Sequence, residues 1–156
     1  MDSEKKIYYE NATNKLLAQL DTMKMSDEER KQAKSWVALF RDSFKSENIR
    51  FATFGRKIPE FKYYADGLCK ASSFAFMNAM DSKDWVMMYI DDASWNMGPH
   101  VYLKHIPSKQ VFDLTADQYF NQVIPYEYGH YIHKLDKQDM LPAMRFLNAV
   151  EQKYFR

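Results

Sequence analysis

The segment "DGLCKASSF" at residues 66–74 holds the only cysteine of the chain, two residues behind Gly67 and at the head of a helix-like stretch. A thiol is a nucleophile as its thiolate, and the dipole and free N–H groups of a helix N-terminus favour that anion. Cys69 therefore stands where sulfur chemistry is helped. A sulfur nucleophile also needs a general base, and the base needs an acceptor that orients it. The histidines are His100, His105, His130 and His133. His100 is singled out by its setting, since it follows "MGP" and opens the strand-like run "HVYLKHI". Gly98 precedes His100 by two residues, as Gly67 precedes Cys69, which suits tight backbone beside a site.

Strand parity points to the acid. If Pro107 and Ser108 are the central residues of a turn from Ile106 to Lys109, Ile106 pairs with Lys109 and Tyr102 with Asp113. Side chains alternate along strands, so His100, Tyr102 and Asp113 then share one sheet face, with His100 diagonal to Asp113 and within side-chain reach. His105 faces the other way, with Val101 and Leu103. A turn one residue longer reverses the assignment. For the developing oxyanion of an acyl-transfer reaction, the backbone N–H of Cys69 is the first expected donor. Tyr64, Trp95 and Gln118 are the candidates for a second donor or a substrate contact.

These residues must be carried by regular elements. Ile7, Leu16, Leu17, Leu20 and Met23 recur at helical spacing and predict an amphipathic helix over residues 3–23. "SDEE" at 26–29 predicts a capping box, with Ser26 as cap and Glu29 reaching back. Behind it Ala33, Trp36, Val37, Phe40 and Phe44 share one face of a second helix to about residue 45. A short strand is expected near 49–53, then a long loop carrying Gly55, Pro59 and Gly67. Asp66 is expected to cap a helix over 67–80 with Ala71, Phe74, Ala75 and Met77 on one face. "WVMMYID" at 85–91, "HVYLKHI" at 100–106 and "QVFDL" at 110–114 predict an antiparallel meander. Thr115 is expected to cap a short helix, "IPYEYGHYIHKL" to hold a turn and a fourth strand, and Asp139 to cap a last helix to about 154 with Pro142 in its first turn. The expected fold class is α+β, helices packed on a small antiparallel sheet.

The 156 residues fit a single domain with a sizeable core, organised as a helical part (1–48), a Cys-His-Asp α+β core (49–135) and a C-terminal helix (136–156). The 46% hydrophobic and 16% aromatic content argues against disorder. Twenty-two basic and 21 acidic side chains are interspersed, giving a charge of +1 and no field that would attract nucleic acid. "WVMMYI" is far shorter than the roughly 20 apolar residues of a membrane span. One cysteine forms no internal disulfide, and "MDSEKK" leads into no apolar signal core, so a cytoplasmic protein is expected. No cofactor and no metal are expected: His130 and His133 lie three residues apart without a second cysteine or an obvious carboxylate partner. "DD" at 91–92 reads as a strand-ending turn, and the ten methionines as core fillers or, for some, the lining of a plastic partner surface.

Gly67-x-Cys69 opening a helix, His100 in "HVYL" and Asp113 in "FDLT", separated by 31 and 13 residues, resemble the core of transglutaminase-like and other papain-like cysteine enzymes. "FDLTADQYF" followed by "IPYEYG" is also similar to small uncharacterised phage and bacterial proteins. The likeness spans roughly residues 64–129. It implies that the cysteine attacks a carbonyl, the histidine shuttles the proton and the aspartate orients the histidine. It implies an amidase, protease or transglutaminase-like activity on an amide, isopeptide or ester bond of a protein, a peptide or a small amide, in the host cytoplasm if the protein is phage-encoded. Tyr102 departs from the pattern after the histidine, and nothing corresponds to a calcium site or second domain. Against this stands a plainer reading, because a lone cysteine is most often a small buried hydrophobe, Asp113 a turn residue and His100 a strand-end residue. A non-catalytic protein-binding module on a hydrolase-like scaffold is the alternative function, using the aromatic surface and the N-terminal helical pair.

Overall fold

A computed structural model describes residues 2–56 and 61–155. Helix α1 (Ser3–Leu20) starts where the Asp2 carboxylate accepts from the Lys5 N–H, at 2.9 Å. Helix α2 (Asp27–Ser43) starts at Ser26, whose hydroxyl accepts from the Glu29 N–H at 3.1 Å. The Glu29 carboxylate does not close the expected capping box and instead accepts from the Trp85 indole N–H at 3.3 Å.

The strand expected near 49–53 is a helix, α3 (Glu47–Phe54). Ser46 caps it through the Ile49 N–H, and Gly55 ends it at φ +67°, so two end signals override the β-branched look of the run. Helix α4 (Cys69–Met80) begins after Leu68 with no side-chain cap. Asp66 turns back instead and accepts from the N–H groups of Lys62 and Tyr63, closing the loop that leads to Cys69. Pro59, expected in that loop, lies outside the described residues. Helix α5 (Lys137–Phe155) is capped by Asp136, which accepts from the Asp139 N–H at 2.8 Å. Asp139, expected as the cap, pairs with Lys70 of α4, and Pro142 falls in the second turn rather than the first.

Strands β1 (Trp85–Ile90), β2 (His100–His105), β3 (Gln110–Phe112) and β4 (His130–Tyr131) form one antiparallel sheet in the order β3-β2-β1-β4. Leu103 pairs with Phe112 and His105 with Gln110, the register set by the turn at Ile106–Lys109. The Lys109 N–H donates to the Ile106 carbonyl at 3.1 Å, and Lys109 takes the left-handed conformation that the turn requires. The fold class is α+β.

The sheet separates two apolar groups. Met87, Val101 and Leu103 face the helices and join Phe40, Phe76 and Phe146 in the main core, which also takes Leu16 and Leu20 of α1. Met88, Ile90 and Tyr102 face the other way, beneath Trp95, Val111 and Tyr126. Trp85 is buried between Phe76 (5.0 Å) and His105 (4.6 Å). Each fully buried large side chain of this kind stabilises the fold by about 1.5–3 kcal/mol. Ile7, expected on the apolar face of α1, is 58% exposed, and Tyr9 is buried instead. No helix among the described residues is long and apolar enough to cross a membrane.

Candidate active site

Gly67 and Gly98 both take positive φ, +75° and +84°, which only a residue without Cβ adopts easily. The chain thus turns sharply two residues before Cys69 and two before His100. Cys69 is the first residue of α4, partly buried and a free thiol. The first bond of this helix runs from the Ser72 N–H to the Leu68 carbonyl at 2.9 Å. The N–H groups of Cys69, Lys70 and Ala71 lie ahead of that ladder.

His100 is fully buried at the head of β2. Its Nε2 lies 2.6 Å from Asp113 Oδ2, the pairing that the parity of β2 and β3 anticipates. Asp113 follows β3 directly and is 7% exposed. Its Oδ1 accepts from the Thr115 N–H at 3.1 Å, and its Oδ2 also accepts from the Tyr126 hydroxyl at 2.6 Å. Thr115 therefore does not cap the following 3-10 turn (Ala116–Tyr119) through its side chain; its backbone holds the acid.

Burial by itself pushes the His100 imidazole down, but the charge and hydrogen bond of Asp113, then Cys69, outweigh it and hold the ring up to about 9. His100 is thus a cation at neutral pH, with both ring nitrogens donating. One donates to Asp113; Nδ1 lies 3.1 Å from the Tyr119 hydroxyl. Burial and then the neighbouring Cys69 push the Tyr119 phenol up, so it stays protonated. Burial followed by Asp113 does the same to Tyr126. Two side chains therefore hold His100, the Asp113 carboxylate and the Tyr119 phenol, and Cys69 lies near enough to act on its charge.

The candidates for a second donor are placed differently. Gln118 spans the Gly67 turn, its Oε1 accepting from the Gly67 N–H at 3.3 Å and its Nε2 donating to Thr115 Oγ1 at 2.9 Å. Trp95 packs edge-on against Tyr119 at 4.5 Å and lies 6.3 Å from the His100 ring. Tyr64 is directed into the core, edge-on to Tyr9 at 5.0 Å, and its carbonyl is held by Arg50; it makes no bond to the site. His105 points to the opposite face, as expected, and His130 and His133 are exposed and some sixty residues along the chain from Cys69.

Tyr119 and Tyr126 were not anticipated. Both lie in irregular segments, where neither a period of 3.6 nor of 2.0 says which side chain turns inward. The segment bearing Tyr119 is fixed by a buried ion pair that sequence reading also misses. Arg41 of α2 grips Asp117 at 2.7 and 3.0 Å and the Leu114 carbonyl at 2.9 Å, with its guanidinium over the Tyr9 ring at 3.9 Å. A groove of about 920 Å³ lies between α1 and this segment. Asp113, Tyr126 and Phe120 line one wall and Tyr8 and Gln19 the other, so it approaches the His100–Asp113 pair from the side of the acid.

No family model, no curated protein and no solved structure matches the chain.

Proposed function

We propose that the protein is a cysteine-dependent acyl-transfer enzyme with a papain-like or transglutaminase-like core, acting on an amide, isopeptide or ester bond. The observation that carries this is the buried His100–Asp113 contact of 2.6 Å on a ring whose charge also depends on Cys69. In this reading the His100 cation already holds the proton given up by Cys69, and the sulfur attacks the carbonyl carbon as the thiolate of that pair. The N–H of Cys69 donates to the oxyanion, and His100 returns the proton to the leaving group. The thioester is then released to water or to an amine, which separates an amidase or protease from a transferase. Asp113, held by Thr115 and Tyr126, keeps the imidazole oriented throughout.

The test is alkylation of Cys69 by iodoacetamide across pH 5–9. Reactivity is expected well below the free thiol's pKa of about 8.5, and its loss in His100→Ala. A profile centred on the free-thiol value and unchanged by His100→Ala rejects the triad. The second reading, a non-catalytic protein-binding module, draws on the Tyr119 hydroxyl, which already sits at the nitrogen a thiol would use. It predicts that Cys69→Ala leaves the biological activity intact; loss of activity with unchanged folding and partner binding rejects it.

A further inference from the structure

His105 ends β2 at the opposite end from His100, about 17 Å along the strand at some 3.3 Å per residue. It is fully buried, and its Nδ1 is engaged by Ser108 Oγ at 2.8 Å. Ser108 is itself fixed by the Lys24 N–H at 2.7 Å, so the ring is held in one orientation by the loop between α1 and α2. The other nitrogen, Nε2, is buried without a hydrogen-bond partner among the described residues. An orphaned buried nitrogen costs about 1–3 kcal/mol unless something meets it. Acidic groups lie beside this ring: one ligand atom each from Glu29, Asp84 and His105 falls within 4.8 Å of the others.

We propose that Glu29, Asp84 and His105 form a binding site for a zinc-type divalent cation. Imidazole nitrogen and carboxylate oxygen are both zinc ligands, and three protein ligands leave a fourth position for water. The hydrogen bond at Nδ1 is the support that ligating histidines characteristically have, fixing which nitrogen faces the metal. Trp85 occupies Glu29 Oε1, leaving the second carboxylate oxygen for the ion. Ligands at about 2.1 Å from a tetrahedral zinc lie roughly 3.4 Å apart, so binding draws the three groups together. Glu29 and Asp84 are partly exposed and give the ion its way in. Mg²⁺, which favours an all-oxygen shell, competes poorly. The bound ion joins the first turn of α2 to the ends of β1 and β2.

The site is tested by calorimetric titration of the full chain with Zn²⁺ in a Cys69→Ser background, so that no thiolate contributes. One equivalent is expected to bind, with a rise in Tm. Glu29→Gln and Asp84→Asn, near-isosteric changes at partly exposed positions, are each expected to weaken binding about tenfold or more and to abolish the Tm rise. No saturable binding overturns the proposal. So does binding of equal strength in both variants, which would place the ion elsewhere, for instance at His130 and His133.

Discussion

His100 carries its charge where water does not reach it, and that has a consequence for stability. Its folded pKa of about 9 lies above its ordinary value of 6.5. The stabilisation is therefore fully present below pH 6.5 and is lost as the pH rises through 9. It is on the order of 3 kcal/mol at most. Denaturant unfolding between pH 6 and 9.5 is expected to show falling stability in the wild type and a flatter profile in His100→Gln; equal slopes would contradict the assignment. Tyr119→Phe removes the hydroxyl at Nδ1 while keeping the ring packed on Trp95. With one hydrogen bond worth about 0.5–1.5 kcal/mol, Cys69 alkylation at pH 7 is expected to rise up to about tenfold. A fall would instead make the phenol part of the thiol's activation.

The elements that bear the site are set by their ends. The pairing of β2 with β3 could be counted in advance because the turn at Ile106–Lys109 fixes it, and this brought His100 to Asp113. The helix α3 could not be read from alternation because Ser46 and Gly55, at its two ends, decide it. Gly129, which precedes β4, meets a closer constraint: a Cβ there would lie 1.7 Å from the Tyr102 hydroxyl. Tyr126, three residues earlier, holds Asp113. Gly129→Ala is thus expected to cost about 1–3 kcal/mol through overpacking and to slow Cys69 alkylation by displacing Tyr126. Tyr102→Phe in the same chain should recover part of both, measured by thermal unfolding and alkylation rate. Additive losses would show that the two positions do not meet.

At the scale of the whole molecule, the two N-terminal helices are part of the machinery that shapes the site. Arg41 and Asp117, 1% and 5% exposed, pin the segment carrying Gln118 and Tyr119 to α1 and α2. Removing one partner strands a buried charge, so Asp117→Ala is expected to cost about 3–5 kcal/mol and to reduce Cys69 reactivity. A double Arg41→Met, Asp117→Leu variant should regain much of the stability but not the reactivity; recovery of both would mean that the ion pair does not position Tyr119. The sequence by itself determined the α+β class, the helical face of α2 and the sheet parity, because periodicity and a tight turn are local properties, whereas on α4 the structure buries Phe76 and Met80 in place of the expected Phe74 and Met77. It also anticipated the contact of His100 with Asp113, since strand alternation ties residue number to sheet face. Only the tertiary structure decided the roles of Tyr119, Tyr126 and Arg41, the inward turn of Tyr64, and the meeting of Glu29, Asp84 and His105. Those contacts join segments tens of residues apart, and they follow from how the helices pack on the sheet rather than from any repeat within a segment.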